Sequence, residues 1–73
     1  MAREQYVVVR EGEGWRISFS GSLYGRYATV AEATRIAVDT AAKAYDAGLK
    51  AEVLVEGADG LFRTAWAEGV YAV

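Results

Sequence analysis

The hydrophobic pattern begins with a period of two, passes through a helical period, and returns to two. A β-rich run, Tyr6-Val7-Val8-Val9, leads into Glu11-Gly12-Glu13-Gly14. From Trp15 to Ser20 the alternation is clean. Trp15, Ile17 and Phe19 face one way and Arg16, Ser18 and Ser20 the other, as in a half-buried strand. A similar phrase returns later as Val53-Leu54-Val55-Glu56-Gly57-Ala58-Asp59-Gly60-Leu61. Each copy runs from β-formers into a Glu-Gly turn and out to an apolar residue, so each reads as a β-hairpin.

The first turn admits two registers. A two-residue Gly12-Glu13 loop pairs Val8 with Ile17, whereas a three-residue loop ending in Gly14 pairs Val9 with Ile17. The second is preferred, with Gly14 taking positive φ. It places Val7, Val9, Ile17 and Phe19 together and leaves Tyr6, Val8 and Arg10 outside.

Between the hairpins lies one helix. Thr29-Val30-Ala31-Glu32 is a capping box, in which the Thr29 hydroxyl accepts from the Glu32 amide and Glu32 reaches back to the Thr29 amide. Gly48 is a suitable stop. Glu32, Arg35, Asp39, Lys43 and Asp46 recur every three or four positions as a solvated stripe. The opposite face is Val30, Ala33, Ile36, Ala37, Ala41 and Ala44, flanked by Val38, Ala42 and Tyr45. It is small enough to lie close on a sheet.

The expected fold is therefore α+β: ββαββ, a four-stranded, mainly antiparallel sheet of two hairpins with one α-helix on one face. A single domain covers residues 1–73, with a hairpin over 5–20, a connector over 21–28, a helix over 30–47, a hairpin over 51–67 and an apolar tail over 69–73. In the second hairpin Ala51, Val53 and Val55 point inward. Its last strand puts Phe62, Thr64 and Trp66 on one face and Leu61, Arg63 and Ala65 on the other. The tail either adds an edge strand or packs on a partner.

A width argument follows. Four strands at ~4.8 Å make a sheet about 19 Å wide, and one helix covers about 10–12 Å. The face away from the helix is left bare, carrying Val8 or its neighbours, Leu54, and one of Trp66 or Leu61. The simplest cover is a second subunit.

Composition narrows the chemistry. The chain has 73 residues, a size that is marginal alone and is often stabilised by oligomerisation. It has no Cys, His or Pro, which removes disulfides, thiolate and imidazole ligands, the thiol nucleophile and the imidazole base. The hydrophobic share of 53% argues for a folded core. No apolar run reaches membrane-spanning length and the N-terminus lacks a signal-peptide core, so no membrane partner and a cytoplasmic location are expected. The source would be a bacterium or a phage of one.

The chain resembles a small bacterial group, domain-of-unknown-function family 2188. The resemblance rests on Tyr6 with Val8 and Val9, Gly14-Trp15, Thr29 with Glu32-Ala33, and Val55-Glu56-Gly57-Ala58-Asp59-Gly60. A Pro often follows the first strand in that family and a His precedes the second turn's Gly; here the positions are Arg10 and Glu56. The resemblance implies the ββαββ fold and brings no established activity.

Candidate chemistry is sparse. Ser18, Ser20 and Ser22 are far in sequence from Lys43 and Lys50, and no carboxylate pair is evidently buried, so no catalytic residue is assigned. Glu56 and Asp59 do not make a calcium loop, so no metal site is assigned. Gly12-Glu13-Gly14 lies between strands and is flanked by acid, unlike a phosphate loop, so no cofactor is expected.

What remains is binding. Tyr24, Tyr27, Trp66, Val70 and Tyr71 are the candidate protein contacts, with a homodimer through the sheet as the first expectation and another protein as a further partner. Glu52, Glu56, Asp59 and Glu68 form an alternative acidic surface, suited to a phage or mobile-element inhibitor of a host protein. Arg10, Arg16 and Arg26 with the loop tyrosines suit single-stranded nucleic acid, which the net charge of −2 disfavours.

Overall fold

The computed structural model describes residues 3–72. It contains β1 (Glu4–Glu11), β2 (Gly14–Phe19), β3 (Ser22–Tyr27), α1 (Val30–Asp46), β4 (Ala51–Glu56), β5 (Phe62–Ala67) and β6 (Val70–Tyr71). The strands form one sheet in the order β3-β2-β1-β4-β5-β6. β1 and β4 run parallel at its centre, and every other neighbouring pair is antiparallel. The expected four-stranded ββαββ sheet is thus corrected to a six-stranded mixed sheet with α1 on one face.

Both added strands come from two-residue turns. Ser20 and Gly21 take φ 53° and 82°, and Glu68 and Gly69 take 44° and 87°. Positive φ at both central residues matches the right-handed twist of paired strands. The segment expected as a connector is therefore β3, folded back on β2. The tail folds back on β5 as β6; its last residue, Val73, lies outside the described residues.

The first hairpin takes the other register. Gly12, not Gly14, adopts positive φ (62°), the loop is Gly12-Glu13, and Val8 pairs with Ile17. Gly14 instead begins β2, and a Cβ there would meet the Tyr27 carbonyl oxygen at 2.9 Å. The slip reverses β1 relative to expectation. Tyr6 and Val8 are core, Tyr6 stacking on Phe19 at 4.4 Å, whereas Val7 and Val9 face away from the helix.

β5 carries a bulge. Trp66 pairs with Val53 and Thr64 with Leu54, so Ala65 is the extra residue. The bulge breaks the expected common face: Trp66 enters the core, while Phe62 and Thr64 pair with Glu56 and Leu54 on the other side.

Both helix caps form. Thr29 Oγ1 accepts from the Glu32 amide at 3.1 Å, and Glu32 Oε1 accepts from the Ala28 amide at 3.4 Å, one residue before the amide expected. At the other end Gly48 N donates to Tyr45 O and Leu49 N to Ala44 O, the paired bonds of a Schellman stop. Ala33, Ala37, Val38 and Ala41 are buried against Tyr6, Val8, Ile17, Ala51, Val53 and Trp66. Val38, expected on the flank, is core, and Val30, expected in the core, is exposed. Trp66 meets Tyr45 edge-on at 6.1 Å. Among the described residues, no helix is long and apolar enough to cross a membrane.

Candidate open sheet face

The strand registers define the face turned away from α1. One lateral row is Leu23, Ser18, Val7, Leu54 and Thr64. On one side of it lie Arg16 beside Val9, and Glu56 beside Phe62. On the other lie Gln5, Glu52, Ala67 and Val70. Val7, Val9 and Leu54 are half-buried and stand outside the core cluster, while Leu23, Phe62 and Val70 are exposed. The result is an apolar centre with charged ends and no element laid over it among the described residues.

The outer strands of the sheet are irregular at one edge and short at the other. β3 is bent by a bulge at Gly25-Arg26, with Gly25 at φ 71°. Arg16 fills two of its carbonyls: Nε donates to Gly25 O at 3.0 Å and Nη2 to Leu23 O at 3.3 Å. Arg16 Nη1 also reaches Glu11 Oε1 at 3.4 Å. At the other edge β6 is two residues long. Bulges, charges and short strands are the usual protections of an edge.

The candidate protein contacts divide. Tyr24 (52%), Val70 (68%) and Tyr71 (65%) are exposed. Tyr27 is half-buried against the core, and Trp66 is 3% exposed and wholly part of it. Trp66 therefore cannot meet a partner in this fold. Its β5 position is turned inward by the bulge.

The four acidic candidates do not form one free surface. Glu52 accepts from Arg3 at 2.9 Å and Gln5 at 2.6 Å. Glu68 accepts from Arg3 at 2.9 Å, with its Oε2 enclosed and unpartnered. Glu56 accepts from the Arg10 amide at 2.9 Å. Asp59 binds Arg63 at 2.8 and 3.2 Å and the Leu61 amide at 3.0 Å, which hold its carboxyl at about 2.

The arginines gather around the end of the first hairpin. Arg10 lies over Trp15 at 5.1 Å on the helix side, whereas Arg16 and Arg26 both approach Glu11, the latter at 3.9 Å. Between them is an open groove of about 370 Å³ lined by Glu11, Glu13, Trp15, Arg16, Arg26 and Tyr27 among others. A second groove, of about 320 Å³, lies along Arg3, Glu4, Gln5, Phe19 and Ser20. Among the described residues, no three Asp or Glu side chains come together as a metal cluster would require.

Sequence reasoning leaves open whether Val8 or its neighbours Val7 and Val9 stand on the open face, and its preferred turn register points Val7 and Val9 inward, against the register observed. It also missed Leu23, hidden in a strand taken for a connector. The Ser20-Gly21 dipeptide between β-formers was the available signal.

A family model described as an uncharacterized protein conserved in bacteria (DUF2188) matches residues 5–68. Comparison with the curated proteins and with the solved structures finds no match.

Proposed function

We propose, for a chain that belongs to this uncharacterised bacterial family, that it is a non-enzymatic binding domain whose working surface is the open sheet face, engaged first by a second copy. The observation that carries the reading is that apolar centre. Val7, Val9 and Leu54 lie in adjoining strands, rimmed by exposed Leu23, Phe62 and Val70, with nothing over them among the described residues. Large exposed apolar patches on small proteins mark interaction sites. The bulged β3 edge, with Arg16 on its carbonyls, favours the face over pairing at that edge. A binding role in the cytoplasm suits a chain without cysteine.

Analytical ultracentrifugation tests the dimer. The wild-type chain should sediment as a dimer at high micromolar concentration, and Leu54→Glu should sediment as a folded monomer. A clean wild-type monomer at that concentration would sink the reading.

The groove at the first hairpin favours a second reading, single-stranded nucleic acid. There half-buried Trp15 and Tyr27 line one groove with Arg16 and Arg26, and with Glu11 and Glu13. Titration with a mixed-sequence DNA strand at low salt should quench Trp15 if this holds. An unchanged spectrum removes it.

A further inference from the structure

β5 is flanked along its whole length on one side and along half of it on the other. β4 meets it from end to end, Glu56 against Phe62 and Glu52 against Ala67. β6 meets only Trp66 and Ala67, and the last bond on that side runs from Ala72 N to Ala65 O at 3.0 Å. Burial follows the cover. Phe62, Arg63 and Thr64 are exposed, whereas Ala65, Trp66 and Ala67 are half-buried or buried. Among the described residues no strand continues β6 alongside residues 62–64, a stretch of about 10 Å.

The phase of the ladder aims this edge outward. Gly57 N donates to Leu61 O at 2.8 Å at the end of the β4–β5 hairpin. Leu61 thus turns its backbone groups toward β4, and by alternation so does Arg63, opposite Val55. Phe62 and Thr64 turn their N–H and C=O outward, two residues apart, as an incoming antiparallel strand requires. Among the described residues no backbone partner holds these groups. The opposite edge differs: on β3 the carbonyl oxygens of Leu23 and Gly25 are taken by Arg16.

Space decides against a second copy at this edge. Two β5 strands set antiparallel, with Phe62 of each against Thr64 of the other, would bring Leu61 of one opposite Ala65 of the other, where Ala72 already stands. Sliding by two residues clears Ala72 but sets Thr64 against Gly60, which lies in the turn at φ 80°. Only the pair of Phe62 residues then remains bonded. A separate segment is under no such constraint, because it can bend away where Ala72 begins.

We propose that the outer edge of β5 takes an extended segment of another polypeptide by antiparallel strand addition. Three residues of the segment lie opposite Thr64, Arg63 and Phe62 in turn, and the first and third exchange both backbone hydrogen bonds with Thr64 and Phe62. Those two side chains point to the open face, and the third is apolar, against a Phe62 that is 50% exposed. The second lies with Arg63 on the helix side, opposite core-packed Val55. The Arg63 side chain is 63% exposed and bonded to Asp59 at 2.8 Å, so this second residue is acidic or neutral and not cationic. The site is an edge, distinct from the centre of the sheet face assigned to the dimer.

The test is amide NMR on the intact wild-type chain. In the free protein the Phe62 and Thr64 amides should exchange with solvent quickly and the Arg63 amide slowly. Protection of Phe62 and Thr64 in the free chain would overturn the proposal, because the edge would already be taken. The peptide acetyl-Thr-Val-Glu-Val-Thr-amide should bind in the millimolar range, as expected of a few backbone hydrogen bonds. It should shift and protect those two amides most. Methylating the backbone nitrogen of its second Val removes the donor to the Phe62 carbonyl and should abolish binding. Lys in place of its Glu should weaken binding about threefold. No shift at Phe62 and Thr64, largest shifts at Val7 and Leu54 instead, or equal binding of either altered peptide would overturn the proposal. None of these results touches the dimer, which sedimentation decides.

Discussion

Gly14 shows how one missing side chain organises a strand pair. Its backbone is ordinary strand, so its value lies in space: the Tyr27 carbonyl oxygen sits 2.9 Å from where a Cβ would be. Gly14→Ala should push β3 off β2 and destabilise the fold by about 1–3 kcal/mol, measurable by urea unfolding. Wild-type stability would show that β3 yields freely. Asp59 offers a second residue-scale check. Its carboxyl sits at about 2 rather than 3.8 because Arg63 and the Leu61 amide bind the ionised form. The stabilisation is present above pH 3.8 and is lost as pH falls toward 2. Both groups are at the surface, so the effect on stability is small, but an NMR titration should find the low midpoint. Arg63→Ala should move it back toward 3.8.

At the scale of elements, legibility followed the source of each element's stability. The helix was readable because its signals are local: Thr29 and Glu32 at the start, Gly48 at the stop, and a charged stripe between. β4 was readable from Ala51, Val53 and Val55. β3 was not, because Ser22-Leu23-Tyr24-Gly25-Arg26-Tyr27 has no alternation of its own and gains strand form only by pairing with β2. The β1 register was open because Gly12 and Gly14 each offer a workable turn, and only tertiary packing chooses between them. The bare face is legible from sheet width alone, and so is Leu54 on it, but the choice between Val8 and its neighbours Val7 and Val9 rests on the turn register. β6 gives an element-scale prediction. It shields Trp66 through the Trp66–Tyr71 pair. In a Trp15→Phe background, Val70→Pro should unzip β6 and shift Trp66 emission to the red while helical circular dichroism persists. Unchanged emission would mean that Tyr45 and the core shield Trp66 without β6.

For the whole molecule, burial divides into two kinds. The core of Val8, Val53, Trp66 and the helix alanines is complete within one chain. Val8→Ala should therefore cost about 2 kcal/mol at any protein concentration. The burial proposed for Leu54 belongs to the dimer, so Leu54→Ala should have little effect in dilute solution. Its cost should grow as wild-type stability rises with concentration. Thermal melts of both variants across a hundredfold range of concentration would separate the two cases. Equal, concentration-independent losses would place Leu54 in the monomer's own accounting and remove the dimer from it.

The parallel β1–β4 seam has a consequence in time. Each hairpin closes through neighbours in sequence, but β1 cannot meet β4 until β2, β3 and α1 have been made and folded back. On a ribosome, the inner edge of β1 therefore waits as an unpaired rim bearing Val7, Val8 and Val9. Joining that seam is the slow, non-local step. A pause in translation just before Ala51 would prolong the interval in which nascent chains can pair with one another through that rim.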